Sequence, residues 1–130
     1  EAGLLSYGNE MTRENNPLEI NLDRFCHLEG KIDYIGRPAL EAIAAQGPSQ
    51  RMRGLLIDGP PCPPCGKPWP VFVGDIKVGQ VTSAIWSPAF RQNIGLSLIH
   101  KDHWAPGTPV TIRLPDGKQS SATVVSLPFG

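Results

Sequence analysis

Two cysteines separated by two prolines, Cys62-Pro63-Pro64-Cys65, carry the most conspicuous local chemistry in the chain. Such a pair can serve as a redox dithiol or as half of a zinc site. The redox reading wants the first cysteine at a helix N-terminus, where the peptide dipole lowers the thiol pKa. Prolines surround this pair, and no helical pattern follows it. The zinc reading needs two more ligands, for which Cys26, His27, His100 and His103 are candidates, with His100-x-x-His103 at usable spacing. The alternative is two free thiols in a rigid surface loop. Proline fixes φ and removes the N–H groups that a chelating turn points at the sulfurs, so the expectation is no metal and no catalytic thiol at Cys62 or Cys65. Their reactivity is expected to match that of an ordinary exposed cysteine. His100-Lys101-Asp102-His103-Trp104 could hold a general base, but polar residues ahead of Ala105-Pro106-Gly107 are also ordinary loop chemistry, and no catalytic residue is assigned. No Gly-rich phosphate loop, Gly-x-Ser-x-Gly elbow or His-Glu-x-x-His pair occurs.

The elements that must position these residues are short. Fourteen glycines and fourteen prolines in 130 residues exclude a helix bundle. Twelve basic residues balance twelve acidic ones, and the aromatics are not interleaved with basic residues, so no nucleic-acid partner is expected. No apolar run approaches the roughly 18 residues of a membrane helix, so no membrane partner is expected either. Three cysteines are too few, and odd in number, for a disulfide framework, which points to a reducing, cytoplasmic setting. The opening Glu1-Ala2-Gly3-Leu4-Leu5 has no initiator Met, basic n-region or apolar h-region, and reads as part of something longer.

Residues 1–22 are apolar pieces broken by Tyr7-Gly8-Asn9 and Asn15-Asn16-Pro17, too short to fold alone, and must dock on something. Residues 23–31 alternate weakly and suggest a short strand into a turn at Gly30. Arg37 to Gln46 is the one helix, with Pro38 in its first turn, an apolar stripe of Ala39, Leu40, Ile43 and Ala44, and a Gly47-Pro48 stop. From Arg51 the apolar period becomes two. Strands are expected at 52–57, 70–73, 76–81, 93–99, 109–114 and 121–127, with turns at Gly74-Asp75 and Pro115-Asp116-Gly117. Between the first two, Pro60 to Pro70 holds six prolines and should run extended. The fold class is α+β, mainly β: a short N-terminal remnant, one linker helix, and a six-stranded antiparallel β-barrel. Val78, Val81, Ile94, Leu96, Leu98, Val110, Ile112, Val124 and Leu127 occupy the apolar phase and should face the barrel interior.

Three phrases in order carry a resemblance. They are Glu1-Ala2-Gly3-Leu4-Leu5-Ser6-Tyr7-Gly8-Asn9-Glu10-Met11 with Asn16-Pro17-Leu18-Glu19, then Asp33-Tyr34-Ile35-Gly36-Arg37-Pro38-Ala39-Leu40, then Gly79-Gln80-Val81-Thr82-Ser83-Ala84-Ile85-Trp86-Ser87-Pro88. Together they resemble the C-terminal region of the glycine-cleavage T-protein (aminomethyltransferase) family over essentially the whole chain. Leu5-Ser6-Tyr7-Gly8, Asn15-Asn16-Pro17-Leu18-Glu19 and Trp86-Ser87-Pro88 look most like its dimethylsulfoniopropionate demethylase branch. The resemblance implies a tetrahydrofolate-dependent methyl- or aminomethyl-transferase, with residues 1–50 ending the folate-binding domain and adding a linker helix, and 51–130 forming the C-terminal barrel. It implies Glu1 as a folate anchor, its carboxylate accepting from the 2-amino and N3–H edge of a pterin, and Tyr7 as a wall of that pocket. The family's aspartate near the reacting carbon falls in preceding domains, which become the expected partner together with a small-molecule methyl donor. The chain alone is expected to hold no cofactor. Glycine cleavage, and a free-standing barrel module binding a partner or zinc through Cys62 and Cys65, are the other readings.

Overall fold

The computed structural model describes residues 1–130. Six strands follow the single helix α1 (Arg37–Gln46): β1 (Gln50–Ile57), β2 (Trp69–Val73), β3 (Ile76–Ser87), β4 (Gln92–His100), β5 (Pro109–Arg113) and β6 (Gln119–Val125). They close into an antiparallel barrel in the order β1-β4-β3-β2-β5-β6, the β1–β6 pairing completing the ring. Closure leaves no sheet edge unpaired, so these short strands hold one another in place. The mainly β architecture with one helix and six antiparallel strands is the expected one.

Local chemistry accounts for the boundaries. Pro38 sits in the first turn of α1, and Gly47 at φ 76° ends it with its N–H on the Ile43 carbonyl. Gly117 at φ 83° closes the β5–β6 turn, donating to the Leu114 carbonyl at 3.0 Å, while the Lys118 N–H donates to Asp116 Oδ1 at 2.9 Å. Residues 23–31 form no strand. Asp23–Phe25 is a turn of 3-10 helix, closed by the Cys26 N–H on the Asp23 carbonyl, and Asp23 pairs with Arg51 at 2.9 Å. The stretch is fixed by side-chain pairing to the barrel, and no neighbouring strand is there to extend it.

The barrel interior is built from Leu55, Ile57, Trp69, Val71, Val78, Val81, Ile99, Val110, Ile112, Ala122 and Val124. A second, outer cluster joins Ile20, Met52 and Leu98, with Leu5, Met11, Leu22, Leu96 and Leu127 packed against it. Residues 1–22 therefore dock on the outside of β1 and β4. This corrects the expected interior on one strand. Ile94 and Leu98 are buried, but β4 turns Ile94, Leu96 and Leu98 outward and Asn93, Gly95, Ser97 and Ile99 inward; Leu96 and Leu127 are only half-buried. A Cβ on Gly95 would meet Ile57 and Val81 side chains, which places Gly95 inside. Two covered faces removed the contrast that alternation depends on.

Candidate functional site

The Pro60–Pro70 loop does not lie free on the surface. Its backbone is gripped by Asn93, an inward residue of β4 that is almost fully buried. Asn93 Nδ2 donates to the Pro60 carbonyl at 2.8 Å, and its Oδ1 accepts the Cys62 N–H at 2.8 Å. One side-chain amide thus satisfies two backbone groups that the prolines leave without ladder partners. Cys62 and Cys65 come to rest against the barrel core, half-buried, with the Cys65 thiol 3.4 Å from the Lys67 carbonyl. Burial pushes both thiols up from the ordinary value of 9.0, Cys65 to about 11, with Cys62 and Glu10 adding to the shift on Cys65. The expectation of ordinary exposed thiols is corrected accordingly, because the loop caps the barrel and the sulfurs face its core. Alkylation of Cys65 by iodoacetamide at pH 8 should run about a hundredfold slower than that of an unshifted thiol, since only the thiolate reacts. Raised pKa values also set a sign for stability. The folded state favours the protonated thiol, so this contribution is intact below pH 9.0 and is lost as pH rises toward about 11. Labelling of Cys62→Ser protein, native and in urea, measures the rate; equal rates in the two would contradict the buried placement.

His100 ends β4 and His103 follows it, at the far end of the strand, where the Lys101 N–H donates to the Ser49 carbonyl. Asn93 and the cysteine loop stand at the other end of the same strand, seven residues or roughly 23 Å away. The structure therefore does not bring these histidines to Cys62 and Cys65, and no three His, Cys, Asp or Glu side chains converge on a common point. Cys26 is tied elsewhere, its thiol on the Leu22 carbonyl at 3.5 Å.

The polar groups that do converge come from the N-terminal segment and β3. Glu10 is a buried carboxylate, 2% exposed. The Ser6 N–H donates to its Oε2 at 2.8 Å, and the Ser83 hydroxyl donates to its Oε1. The Thr82 hydroxyl lies 3.2 Å from Glu10 Oε1 and 3.2 Å from the Leu96 carbonyl, its single proton serving one at a time. A β-bulge explains how two consecutive residues reach one carboxylate: the β3–β4 register jumps from Val81↔Ser97 to Ser83↔Leu96, leaving Thr82 unpaired and bending the strand. Four residues on, Ser87 donates its hydroxyl proton to Glu1 Oε1. The two acidic residues of the N-terminal phrase are thus both held by hydroxyls of the strand that carries the third phrase.

Between residues 1–4 and the facing stretches of β3 and β4 lies a cleft of about 430 Å³, lined mainly by apolar side chains, with Glu1 among its walls. Tyr7 is not one of them. It sits 68% exposed in a tight turn bridged to Met11. The structure therefore places Glu1 at a cleft and leaves Tyr7 outside it. Glu10, Ser83 and Ser87 escaped attention as single residues, although each stands in a phrase singled out for its resemblance.

The family model of the glycine cleavage T-protein C-terminal barrel domain matches residues 50–129, the span of the six strands. The chain belongs to the glycine cleavage T-protein family. It is 48% identical over 117 residues to dimethylsulfoniopropionate demethylase DmdA of Ruegeria pomeroyi, covering 90% of this chain and 31% of that protein. It is 38% identical over 129 residues to an aminomethyltransferase of Synechococcus sp. (strain CC9902), covering 99% of this chain and 34% of that one. Among solved structures, the glycine cleavage system aminomethyltransferase T from Bartonella henselae superposes with a TM-score of 0.82 at 26% identity, over 99% of this chain and 36% of that one. The chain thus spans about a third of the length of the relatives it matches.

Proposed function

We propose that the chain is the C-terminal region of a tetrahydrofolate-dependent one-carbon transferase whose donor is a sulfonium compound of the dimethylsulfoniopropionate class. The sulfonium part is favoured by the 48% identity to a demethylase against 38% to an aminomethyltransferase. The observation that carries the folate part is Glu1. Ser87 occupies one oxygen of its carboxylate and leaves Oε2 without a protein donor, beside an apolar cleft. A carboxylate in an apolar setting fits the paired N–H groups on a pterin edge, and an apolar wall fits its ring. When bound, tetrahydrofolate supplies the nitrogen that takes up the one-carbon unit. In this reading Glu1 binds and orients, Tyr7 borders the same ligand from outside the cleft, and no residue of the chain performs the chemical step.

Residues 1–50 then complete a folate-binding domain and the linker helix, and 51–130 form the C-terminal barrel. The partner is the preceding folate-binding part of the same enzyme. Helix α1 agrees with such a partner: none of its residues is buried, Ile35 ahead of it is fully exposed, and a helix of ten residues needs packing to persist. No helix is long and apolar enough to cross a membrane, and the cytoplasm is the proposed location. Glycine cleavage is the second reading, favoured by the glycine cleavage enzyme that superposes on nearly all of the chain.

The complete enzyme should convert dimethylsulfoniopropionate and tetrahydrofolate to methylthiopropionate and 5-methyltetrahydrofolate, as read by liquid chromatography. Turnover only of an aminomethyl-lipoyl carrier would replace this reading with the second. Residues 1–130 alone should bind tetrahydrofolate more weakly than low-micromolar by calorimetry. One mapped carboxylate cannot offset the roughly 4 kcal/mol or more lost in translational and rotational freedom.

A further inference from the structure

Ser87 ends β3 and is 2% exposed, yet its hydroxyl is the only protein group bonded to the Glu1 carboxylate. The direction of that bond is determined locally. The Phe90 N–H donates to Ser87 Oγ at 3.3 Å, across the turn that joins β3 to β4, and so occupies a lone pair of the hydroxyl. The one proton of Ser87 is left to point at Glu1 Oε1. Burial locks the serine rotamer, so the carboxylate meets a donor in a single orientation. The adjoining turn is itself constrained, with Arg91 at φ 51°. Glu1 is otherwise a flexible side chain on an exposed stretch, with several rotamers of similar energy.

We propose that Ser87 is a positioning residue: from the barrel, it orients the Glu1 carboxylate so that Oε1 is held by protein and Oε2 is presented to the ligand in the cleft. This rests on the folate reading of Glu1 and adds to it a specific role for the barrel. The barrel does more than close over the site, because the hydroxyl at the end of β3 sets the geometry of an anchor 86 residues earlier in the chain. Pre-paying the orientation of the carboxylate raises affinity without any direct contact between Ser87 and the ligand. Glu10 is held by the same strand in the same manner, so the segment between the two glutamates is fixed at both ends and cannot carry Glu1 away from the cleft.

The test uses the complete enzyme and 5-formyltetrahydrofolate as a non-reacting probe, with affinity measured by calorimetry and folding by melting temperature. Glu1→Gln should weaken the probe about tenfold or more, through loss of a charge-assisted pair. Ser87→Ala should weaken it about fivefold with kcat unchanged at saturating folate, and Ser87→Thr should restore it by returning the hydroxyl. In the Glu1→Gln background, Ser87→Ala should add nothing, since a residue that acts through Glu1 has no anchor left to orient. That loss of effect separates positioning from a structural role, which would lower binding and melting temperature equally in both backgrounds. If Glu1→Gln weakens the probe while Ser87→Ala and Ser87→Thr both bind like the parent, the positioning role is overturned and the folate reading stands. Additive losses in the double variant overturn it as well. If Glu1→Gln binds the probe like the parent, the folate reading of Glu1 fails, and the role of Ser87 falls with it. Should Ser87→Ala not fold, Ser87→Thr and a Ser87→Cys variant, which keeps size but offers a weaker donor, give the same comparison.

Discussion

Gly79→Ala is expected to cost about 3 kcal/mol or more and to prevent the barrel from closing at physiological temperature. Gly79 lies in the middle of β3, paired with Val71 of β2 on one side and Ile99 of β4 on the other. A Cβ placed there would stand 2.1 Å from the Leu98 carbonyl oxygen and 3.1 Å from the Ile99 Cα. Both atoms are backbone of the neighbouring strand, so no side-chain rotation relieves the overlap. The strands must separate, and separation breaks ladder hydrogen bonds in a ring whose stability depends on every pair being made. Positive φ plays no part here, because Gly79 has none and the constraint is close approach alone. Gly66→Ala is the matched control: its Cβ would meet nothing within 4 Å, and it should melt with the parent. Urea unfolding followed by tryptophan fluorescence compares the two. A Gly79→Ala barrel as stable as Gly66→Ala would mean that β3 and β4 are further apart than the structure places them.

Legibility followed the range of the interactions. Helix α1 could be read to its end residues because its signals, Pro38 and Gly47, act on the backbone within one turn. The β5–β6 hairpin was readable for the same reason, from Pro115-Asp116-Gly117. The phase of β4 was not. Alternation shows which residues share a face, but only contrast with solvent shows which face is inside, and the outer face of β4 is covered by Ile20, Met52 and their neighbours. Its inner face carries Asn93, Gly95 and Ser97 ahead of Ile99, chosen for the proline loop and for close packing, so Ile94, Leu96 and Leu98 point the other way. The hydroxyl contacts to Glu1 and Glu10 lay further from view. They join residues 86, 73 and 72 positions apart and depend on a bulge at Thr82 that breaks the alternation by a single residue. Resemblance marked the phrases that hold these residues, and the fold supplied the reason they meet.

Glu10→Ala is expected to cost about 3 kcal/mol or more and to free the N-terminal segment from the barrel. A carboxylate at 2% exposure is tolerated because its oxygens are met by donors: Ser6 N–H on one, Ser83 with Thr82 on the other. Truncation removes the acceptor and leaves those donors in place. Thr82 can still turn its proton to the Leu96 carbonyl at 3.2 Å, but Ser83 and the Ser6 amide have no second acceptor in reach. The donors left without their acceptor, Ser83 half-buried and Ser6 exposed, carry part of the expected loss, and this gives the prediction its internal check. Adding Ser83→Ala to Glu10→Ala removes one stranded hydroxyl and should recover part of the stability, although Ser83→Ala alone weakens the parent. The segment should respond before the barrel does. Residues 1–22 contribute Leu5, Met11, Ile20 and Leu22 to the outer cluster only, whereas the interior cluster is made without them. Limited proteolysis of Glu10→Ala should therefore cut within residues 1–22 while the strands stay resistant, and amide exchange should rise at Ser6 and Glu10 ahead of β3. If Glu10→Ala unfolds with the parent and its N-terminal segment stays protected, docking of that segment rests on the apolar cluster alone and the carboxylate is not its anchor.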